Sequence, residues 1–314
     1  CQHRQTDWCA GTWANPAAFF DDLSEIHVMF MNIAGKYKIV YDRWAVTFHC
    51  MLQKELRPYI HRLRIIQLFE ADFNAVQKIL LARRLMRHTE KENMNSEETF
   101  GSRPGRRAHD PIMINQFLCD YARTMKVPIV NMFNDADGCY DRIRHNIMAI
   151  AMRKRGCDKN VIEMVMAVLI AMRHHVKCST GVSEEFFTFT DLLRIGGSGQ
   201  GSGHGPIGWH TIIEILIEAL NNLEGHGVDI TSPGGIQLLL SVLGFVDDNQ
   251  LVNIFAPNST PEEIFTSITN RLTTWHKLLI ATGGDLALQK CNISIGYWTW
   301  RDGIPTMKRV EQLQ

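Results

Sequence analysis

An α+β fold is what this sequence predicts, and three observations carry the expectation. Helical and strand-like segments alternate along the chain without the regular strand–helix–strand repeat of a doubly wound parallel sheet. The stretch Leu243-Gly244-Phe245-Val246-Asp247-Asp248-Asn249-Gln250-Leu251-Val252 has apolar flanks around a turn-forming Asp-Asp-Asn, which reads as a β-hairpin. With 314 residues, 45% of them apolar, the chain can bury one large core or two smaller ones.

Taken in order, Asn15-Pro16 reads as a cap followed by proline in the first turn, opening a helix that Gly35 is placed to end. Val46 to Leu52 and Arg62 to Leu68 are rich in β-branched and apolar residues and predict two strands, with Arg57-Pro58 in a basic loop between them. From Asp72 onward, Phe73, Val76, Ile79, Leu80 and Leu85 mark the apolar face of a helix whose polar side carries Arg83, Arg84 and Arg87. Lys91 to Arg107 is polar and broken by Gly101, Pro104 and Gly105, so it reads as a loop. A helix follows from about His109 to Met125, then a compact apolar strand from Val127 to Phe133 that ends in Asn134-Asp135. Asp141 can cap a helix over 142–155, and Asp158 can cap the next, through about Arg173. Phe186 to Thr190 reads as one arm of a strand pair. Six glycines fall between Ile195 and Pro206, ahead of a helix from Trp209 to Leu223. After the hairpin come a helix from Pro261, closed by Gly283-Gly284, and short strands from Ile293 to Trp300.

No uninterrupted apolar run is long enough to cross a bilayer. Cys1 opens the chain with no initiator methionine and no signal or transit sequence, as expected of a fragment or a processed chain. Eight cysteines without a CxxC pair suit reduced thiols inside the cell, in cytosol or nucleus. His174, His175 and Cys178 lie close together but do not complete a zinc site. The formal net charge of zero argues weakly against nucleic acid, yet Lys54 to Arg107 carries twelve Lys and Arg against seven Asp and Glu. A basic N-terminal half and an acidic hairpin suit a chain that holds polyphosphate in one place and metal in another. An ordinary surface also tolerates that excess.

Two adjacent carboxylates at a hairpin tip repel each other, and a divalent cation would relieve the repulsion. A solvated polar turn is the plain alternative for Asp247-Asp248 taken alone. A second acidic element, Phe133-Asn134-Asp135-Ala136-Asp137-Gly138-Cys139-Tyr140-Asp141, places Asp135 at the end of a buried-looking strand. Asp137 reads equally as a neighbour of the metal and as a turn former. Asp135, Asp247 and Asp248 together could hold two divalent ions, the pair that clamps the attacking and leaving oxygens of an in-line phosphoryl displacement. Carboxylates with few His or Cys beside them favour Mg²⁺ or Mn²⁺ over zinc.

The order of these elements resembles a reverse transcriptase of the non-long-terminal-repeat retroelement and group II intron branch. Leu63-Arg64-Ile65-Ile66-Gln67-Leu68, a helix, and then Phe100-Gly101-Ser102-Arg103-Pro104-Gly105-Arg106 is similar to that branch's fingers segment. Phe133 to Asp141 resembles its first aspartate motif, with an aromatic five residues after the Asp. Gly199-Gln200-Gly201 and Gly205-Pro206 resemble its glutamine-glycine motif, and Phe245-Val246-Asp247-Asp248 its aromatic-x-Asp-Asp hairpin. Leu279 to Lys290, with Gly283-Gly284 and Lys290-Cys291, is similar to the motif that follows. The likeness covers roughly Lys54 to Trp300 in the family's order, and five elements in sequence are far more specific than any one of them.

The resemblance implies a right-hand polymerase, fingers and palm, with an antiparallel palm sheet and packed helices. On that pattern 1–35 is an N-terminal helical extension, 36–128 the fingers, 129–300 the palm, with 156–195 packing against the fingers, and 301–314 a truncated tail. Asp135, Asp247 and Asp248 would bind two Mg²⁺ ions, with Mn²⁺ as an alternative. Lys54 and Arg64 would hold the triphosphate, where a guanidinium suits bidentate phosphate binding; surface charges beside a strand are the other reading. Tyr140 would lie under the sugar and exclude a 2′-OH by its bulk, favouring deoxynucleotides, though core packing also accounts for a Tyr. Gln200 and Gly201 would lie against the nascent base pair, where glycines let backbone approach without side-chain clash; a flexible linker is the other reading of that run. Lys290 would protonate the leaving pyrophosphate; a plain surface lysine is the other reading. Arg103, Arg106 and Pro206 would contact the template, the arginines through its phosphates. RNA template, DNA primer and dNTP are the implied partners, and a larger polyprotein the implied context.

Three features depart from the pattern. Gly205 stands where the family usually has Ser, and Val246 where this branch commonly has Ala. Fourteen residues follow Trp300, too few for the helical thumb. Two functions therefore stay open: an active RNA-directed DNA polymerase core, and a degenerate remnant that binds nucleic acid without turnover. An RNA-dependent RNA polymerase shares the palm but fits Tyr140 poorly.

Overall fold

The computed structural model of the protein describes residues 16–53, 63–190 and 196–308. Helix α1 (Pro16–Tyr37) leads to strands β1 (Val46–Leu52) and β2 (Arg64–Leu68). Helix α2 (Ala71–Gln77) runs through a π-helical stretch (Lys78–Leu85) into α3 (Met86–Lys91). Next come α4 (His109–Met125), β3 (Ile129–Asp135), the short α5 (Cys139–Arg142), α6 (His145–Lys154) and α7 (Lys159–Ala171). Strands β4 (Arg173–Cys178), β5 (Gly181–Val182) and β6 (Phe187–Thr188) precede helix α8 (Gly205–Glu224). Strands β7 (Val228–Thr231), β8 (Gln237–Leu240), β9 (Val242–Phe245) and β10 (Asp248–Ile254) follow, then helix α9 (Pro261–Thr282). A 3₁₀ turn (Leu288–Lys290) and strands β11 (Asn292–Arg301) and β12 (Ile304–Lys308) complete the order. The elements fall into two compact units, one of residues up to Glu92 with Ile143–Gly208, the other of Asn93–Arg142 with the residues from Trp209 onward.

In the first unit, β2, β1, β4 and β5 lie side by side in that order, with β6 also on β4. The β1–β4 pair is parallel, whereas β2, β5 and β6 run antiparallel to their neighbours. The Trp44 and Phe73 rings pack tilted with centroids 5.3 Å apart, and Leu81, Met148, Met152 and Met164 are fully buried. Helix α1 runs past Gly35, which was expected to end it. The left-handed residue is Lys38 (φ 58°), and Ile39 N–H closes back onto Ala34 O at 3.1 Å, so the stop lies three residues later. The expected apolar face from Phe73 also shifts. The π-helical stretch widens each turn, turning Ile79 outward (41% exposed) and bringing Leu81 in (0%). Asp158 caps α7 as its type predicts, accepting from Asn160 N–H at 2.8 Å. Asp141 does not cap a helix over 142–155; the chain breaks at Ile143, and extended Arg144 heads α6 without a side-chain cap.

The second unit holds an antiparallel sheet in the order β12-β11-β3-β10-β9, with β7 and β8 as a separate hairpin. Helix α4 lays Leu118 and Ala122 into a core with Ile129, Leu243, Val252 and Phe100. Helix α9 carries a complete capping box between Thr260 and Glu263, and left-handed Gly283 (φ 100°) ends it. The short strands expected over 293–300 are one strand of ten residues, and β12 extends the sheet into the segment expected as a tail. Buried Glu98 accepts from Val242 N–H at 3.2 Å and from Ser241 N–H, tying the loop after α3 to the start of β9.

Candidate active site

Three acidic residues lie at one end of the second unit's sheet. Strands β3 and β10 are antiparallel with Asp248 directly opposite Asp135, which puts their Cβ atoms roughly 5 Å apart on one face. Asp247 follows Val246 in the two-residue turn between β9 and β10, since Asp248 already pairs with Phe245. Val246 has a φ of 58°, and Asp247 has no positive φ, the pattern of a II′ hairpin turn that normally starts with Gly. A β-branched residue held there is strained by about 1–3 kcal/mol and persists only where its surroundings fix it. Phe100 N–H donates to Gly244 O at 2.8 Å, and Gly244 N–H donates to Glu98 O at 2.9 Å, so the 98–101 segment lies along β9. Gly101 has no room for a Cβ, which would sit 2.4 Å from Val246 N.

Like charges set opposite each other on a sheet repel, and the titration reflects it. Asp248 is raised above its ordinary pKa, first by burial, then by Asp247 and Asp135, with Lys290 opposing. Lys290, at the end of the 3₁₀ turn, donates from Nζ to Asp135 Oδ2 at 2.9 Å; that bond is the largest cause of its raised pKa. The segment before this turn pairs with the end of β3: Ala287 N–H donates to Asp135 O and Asp137 N–H to Asp285 O, both at 2.9 Å. Arg142 bridges Asp137 at 2.5 Å and Asp285 at 3.5 Å, making Asp137 an ion-pair partner in that pairing. Burial pushes the Cys139 thiol up to about 12, with Asp247 adding to it. Tyr140 is also raised, by burial, then by Cys139 and Asp247, so its phenol stays protonated near that carboxylate.

Does this donor set suit a cation? All three side chains offer carboxylate oxygen, the chemistry of a hard divalent ion. Among the described residues, however, no three His, Cys, Asp or Glu side chains already form a ligand cluster. Asp135 is committed to Lys290, whose ammonium occupies one of its oxygens. The set suits a divalent ion in donor type, and Asp135 would have to exchange Lys290 for it.

No family model and no curated protein matches the chain. Solved structures do. Apo telomerase from Candida tropicalis, truncated from its C-terminal domain, is 13% identical with a TM-score of 0.51, over 90% of this chain and 58% of that one. Telomerase from Candida albicans in complex with a TWJ fragment of telomeric RNA is 13% identical, TM-score 0.51, over 85% and 46%. Apo telomerase from Candida tropicalis is 12% identical, TM-score 0.53, over 93% and 51%. The fold is reverse-transcriptase-like. At this identity the likeness reaches the polymerase fold and stops short of any branch of it, and the chain spans about half the length of these structures.

Within this polymerase-like fold the remaining expected residues take varied places. Arg103 is 8% exposed and donates from Nη1 to Thr99 O at 2.9 Å and to Ser96 O, so its guanidinium organises its own loop rather than facing outward. Arg106 pairs with Glu97 and lies over the Phe100 ring at 5.7 Å. Arg64, Gln200, Gly201 and Pro206 belong to the first unit. Arg64 opens β2 with its side chain exposed, and Pro206 lies exposed in the first turn of α8, which starts four residues before the expected Trp209. The glycine-rich run is packed, not a loose linker. Gln67 N–H donates to Gln200 O at 2.8 Å, and a Cβ on Gly201 would lie 2.4 Å from Gln67 O. Lys54 lies outside the described residues, as does the Arg57-Pro58 loop. Sequence reasoning passed over Trp209, whose indole N–H reaches the hairpin turn. A lone donor on an apolar helix was the available signal, because a buried indole N–H usually finds an acceptor.

Proposed function

We propose that the chain is the fingers and palm of an RNA-directed DNA polymerase of the retroelement type, in the non-long-terminal-repeat and group II intron branch. On this reading 36–128 is the fingers and 129–300 the palm, with 156–195 packing against the fingers. The observation that carries this reading is the β3–β10 register, with Asp135 facing Asp248 and Asp247 in the adjoining turn, inside a reverse-transcriptase-like fold. The branch rests on the motif order in the sequence.

Asp135, Asp247 and Asp248 would hold two Mg²⁺ ions. When bound, such ions supply charge neutralisation on the phosphates and activate the primer 3′-OH. The chain's own residues do the rest. Arg64 and Lys54 orient the triphosphate of an incoming dNTP. Tyr140 closes the sugar position against a 2′-OH. Gln200 and Gly201 present backbone to the base pair, and Arg106 meets the RNA template's phosphates on a loop that Arg103 holds in shape. Lys290, kept protonated by Asp135, carries the proton that the leaving pyrophosphate takes. A larger polyprotein is the proposed context.

Primer extension on an RNA template with dNTPs and Mg²⁺ tests the reading. Asp247→Asn should abolish incorporation, a loss of at least about 1,000-fold, with the fold intact by circular dichroism. Incorporation unaffected by that substitution removes the assignment. The second reading, a remnant that binds nucleic acid without turnover, has one observation in its favour: Asp135 is closed onto Lys290 and no ready ligand cluster exists among the described residues. Template binding with no Mg²⁺-dependent incorporation would select it.

A further inference from the structure

The peptide planes on either side of Asp247 are each held by a side chain, one from helix α8 and one from two residues further along the hairpin. Trp209, on α8 and 1% exposed, donates its indole N–H to Val246 O at 2.5 Å. Asn249, 4% exposed, donates from Nδ2 to Asp247 O at 2.9 Å. The first carbonyl belongs to the plane joining Val246 to Asp247, the second to the plane joining Asp247 to Asp248. Peptide units are rigid, so fixing both planes fixes φ and ψ of the residue between them. The direction of the Asp247 Cα–Cβ bond follows.

We propose that Trp209 and Asn249 are positioning residues that clamp these two planes and thereby aim the Asp247 carboxylate. The consequence for turnover rests on the polymerase reading above; the clamp itself does not.

Three further facts favour the clamp over ordinary packing. Val246 carries a left-handed φ of 58° that a β-branched residue adopts only under constraint. Gly101 backs directly onto Val246, with no room even for a Cβ between them, so the turn is hemmed in at its first residue. Asn249 keeps Oδ1 buried without a partner among the described residues. An apolar residue would avoid that cost, so the amide's bond to Asp247 O is its gain. Trp209 is likewise a pure donor, with no acceptor capacity to spend elsewhere.

The test uses Trp209→Phe, which keeps the ring and removes the N–H. Primer extension on RNA should show kcat down about 10-fold or more with the KM for dNTP unchanged, since misplacing a reacting group costs rate rather than binding. Hydrogen exchange at the amides of residues 246–249 should accelerate, while the strands β3 and β11 keep their protection. Adding Val246→Gly should restore much of the rate, because glycine takes the left-handed conformation without strain. Asn249→Leu leaves α8 untouched and should repeat the pattern through the other plane. Unchanged exchange in both single variants overturns the clamp, whatever the activity. A loss in Trp209→Phe that falls on KM and thermal midpoint together, with no rescue by Val246→Gly, also overturns it in favour of plain packing. If the wild-type chain extends no primer, the polymerase reading fails and exchange alone decides the clamp.

Discussion

Lys290 is the residue on which the two functional readings diverge. Its ammonium sits 2.9 Å from Asp135 Oδ2, where it stands in charge for a cation and competes with one. The pair is half exposed on the lysine side, so its worth to stability is small, about 0–1 kcal/mol. Lys290→Met should therefore leave the unfolding midpoint nearly unchanged. It should also free a carboxylate oxygen, lowering the Mg²⁺ concentration for half-maximal rate. If Lys290 carries the proton taken by pyrophosphate, kcat falls about 100-fold in the same variant. Tighter metal dependence with slower turnover is an unusual combination, and single-nucleotide incorporation across a Mg²⁺ titration reads both. A variant with wild-type kcat would take Lys290 out of the chemistry and leave it as the counter-charge of an empty-handed carboxylate.

At the scale of elements, legibility followed how local the deciding physics was. Strand β1 over Val46–Leu52 and helix α4 over His109–Met125 were readable to the residue, because β-branched runs and helical spacing act within a few positions. Helix α9 announces both its ends, by Thr260 with Glu263 and by Gly283. Strand β4 was hidden: its Arg-His-His-Val-Lys-Cys has no apolar alternation, and it exists through parallel pairing with β1, more than a hundred residues earlier. The π-helical stretch was hidden for the same reason, since packing rather than local propensity brings Leu81 inward. In the candidate site, the acidic strand end and hairpin tip were visible as residue types; their register, and the indole on Val246, were not. The glycine-rich run gives this a test. Gly201 has a φ of 124° and lies against Gln67 O, a backbone atom that cannot swing aside. Gly201→Ala should destabilise by about 2–3 kcal/mol in urea unfolding. A loss under about 0.5 kcal/mol, the range of an ordinary surface site, would mean the run is a linker after all.

Across the whole molecule, the first unit carries a pH dependence built from buried histidines. Gln67 Nε2 contacts His49 Nε2 at 2.9 Å and His174 Nδ1 at 3.2 Å, and the two rings' nitrogens lie 2.8 Å apart. Phe187 packs against both rings. His145 bonds Gly197 O at 2.8 Å, and His204 is fully buried with neither ring nitrogen partnered among the described residues. Burial lowers His49 and His174 to about 4 and His204 to about 3, and it lowers His145 too, against the opposing Gly197 bond. Their unfolded value is about 6.5. Because the folded values lie below that, the unfolded chain binds protons first as pH falls, and stability drops with it. The contribution is fully present above pH 6.5 and is lost progressively as pH falls from there through about 4. Urea unfolding at pH 9, 8, 5 and 4 should show a plateau over the first two and a steep decline over the last two. His204→Met removes a buried donor that has no acceptor and a proton site that only the unfolded chain can fill. It should therefore raise stability at pH 5 more than at pH 8. An equal gain at both values would assign His204's effect to packing and leave the acid sensitivity to the His49–Gln67–His174 cluster.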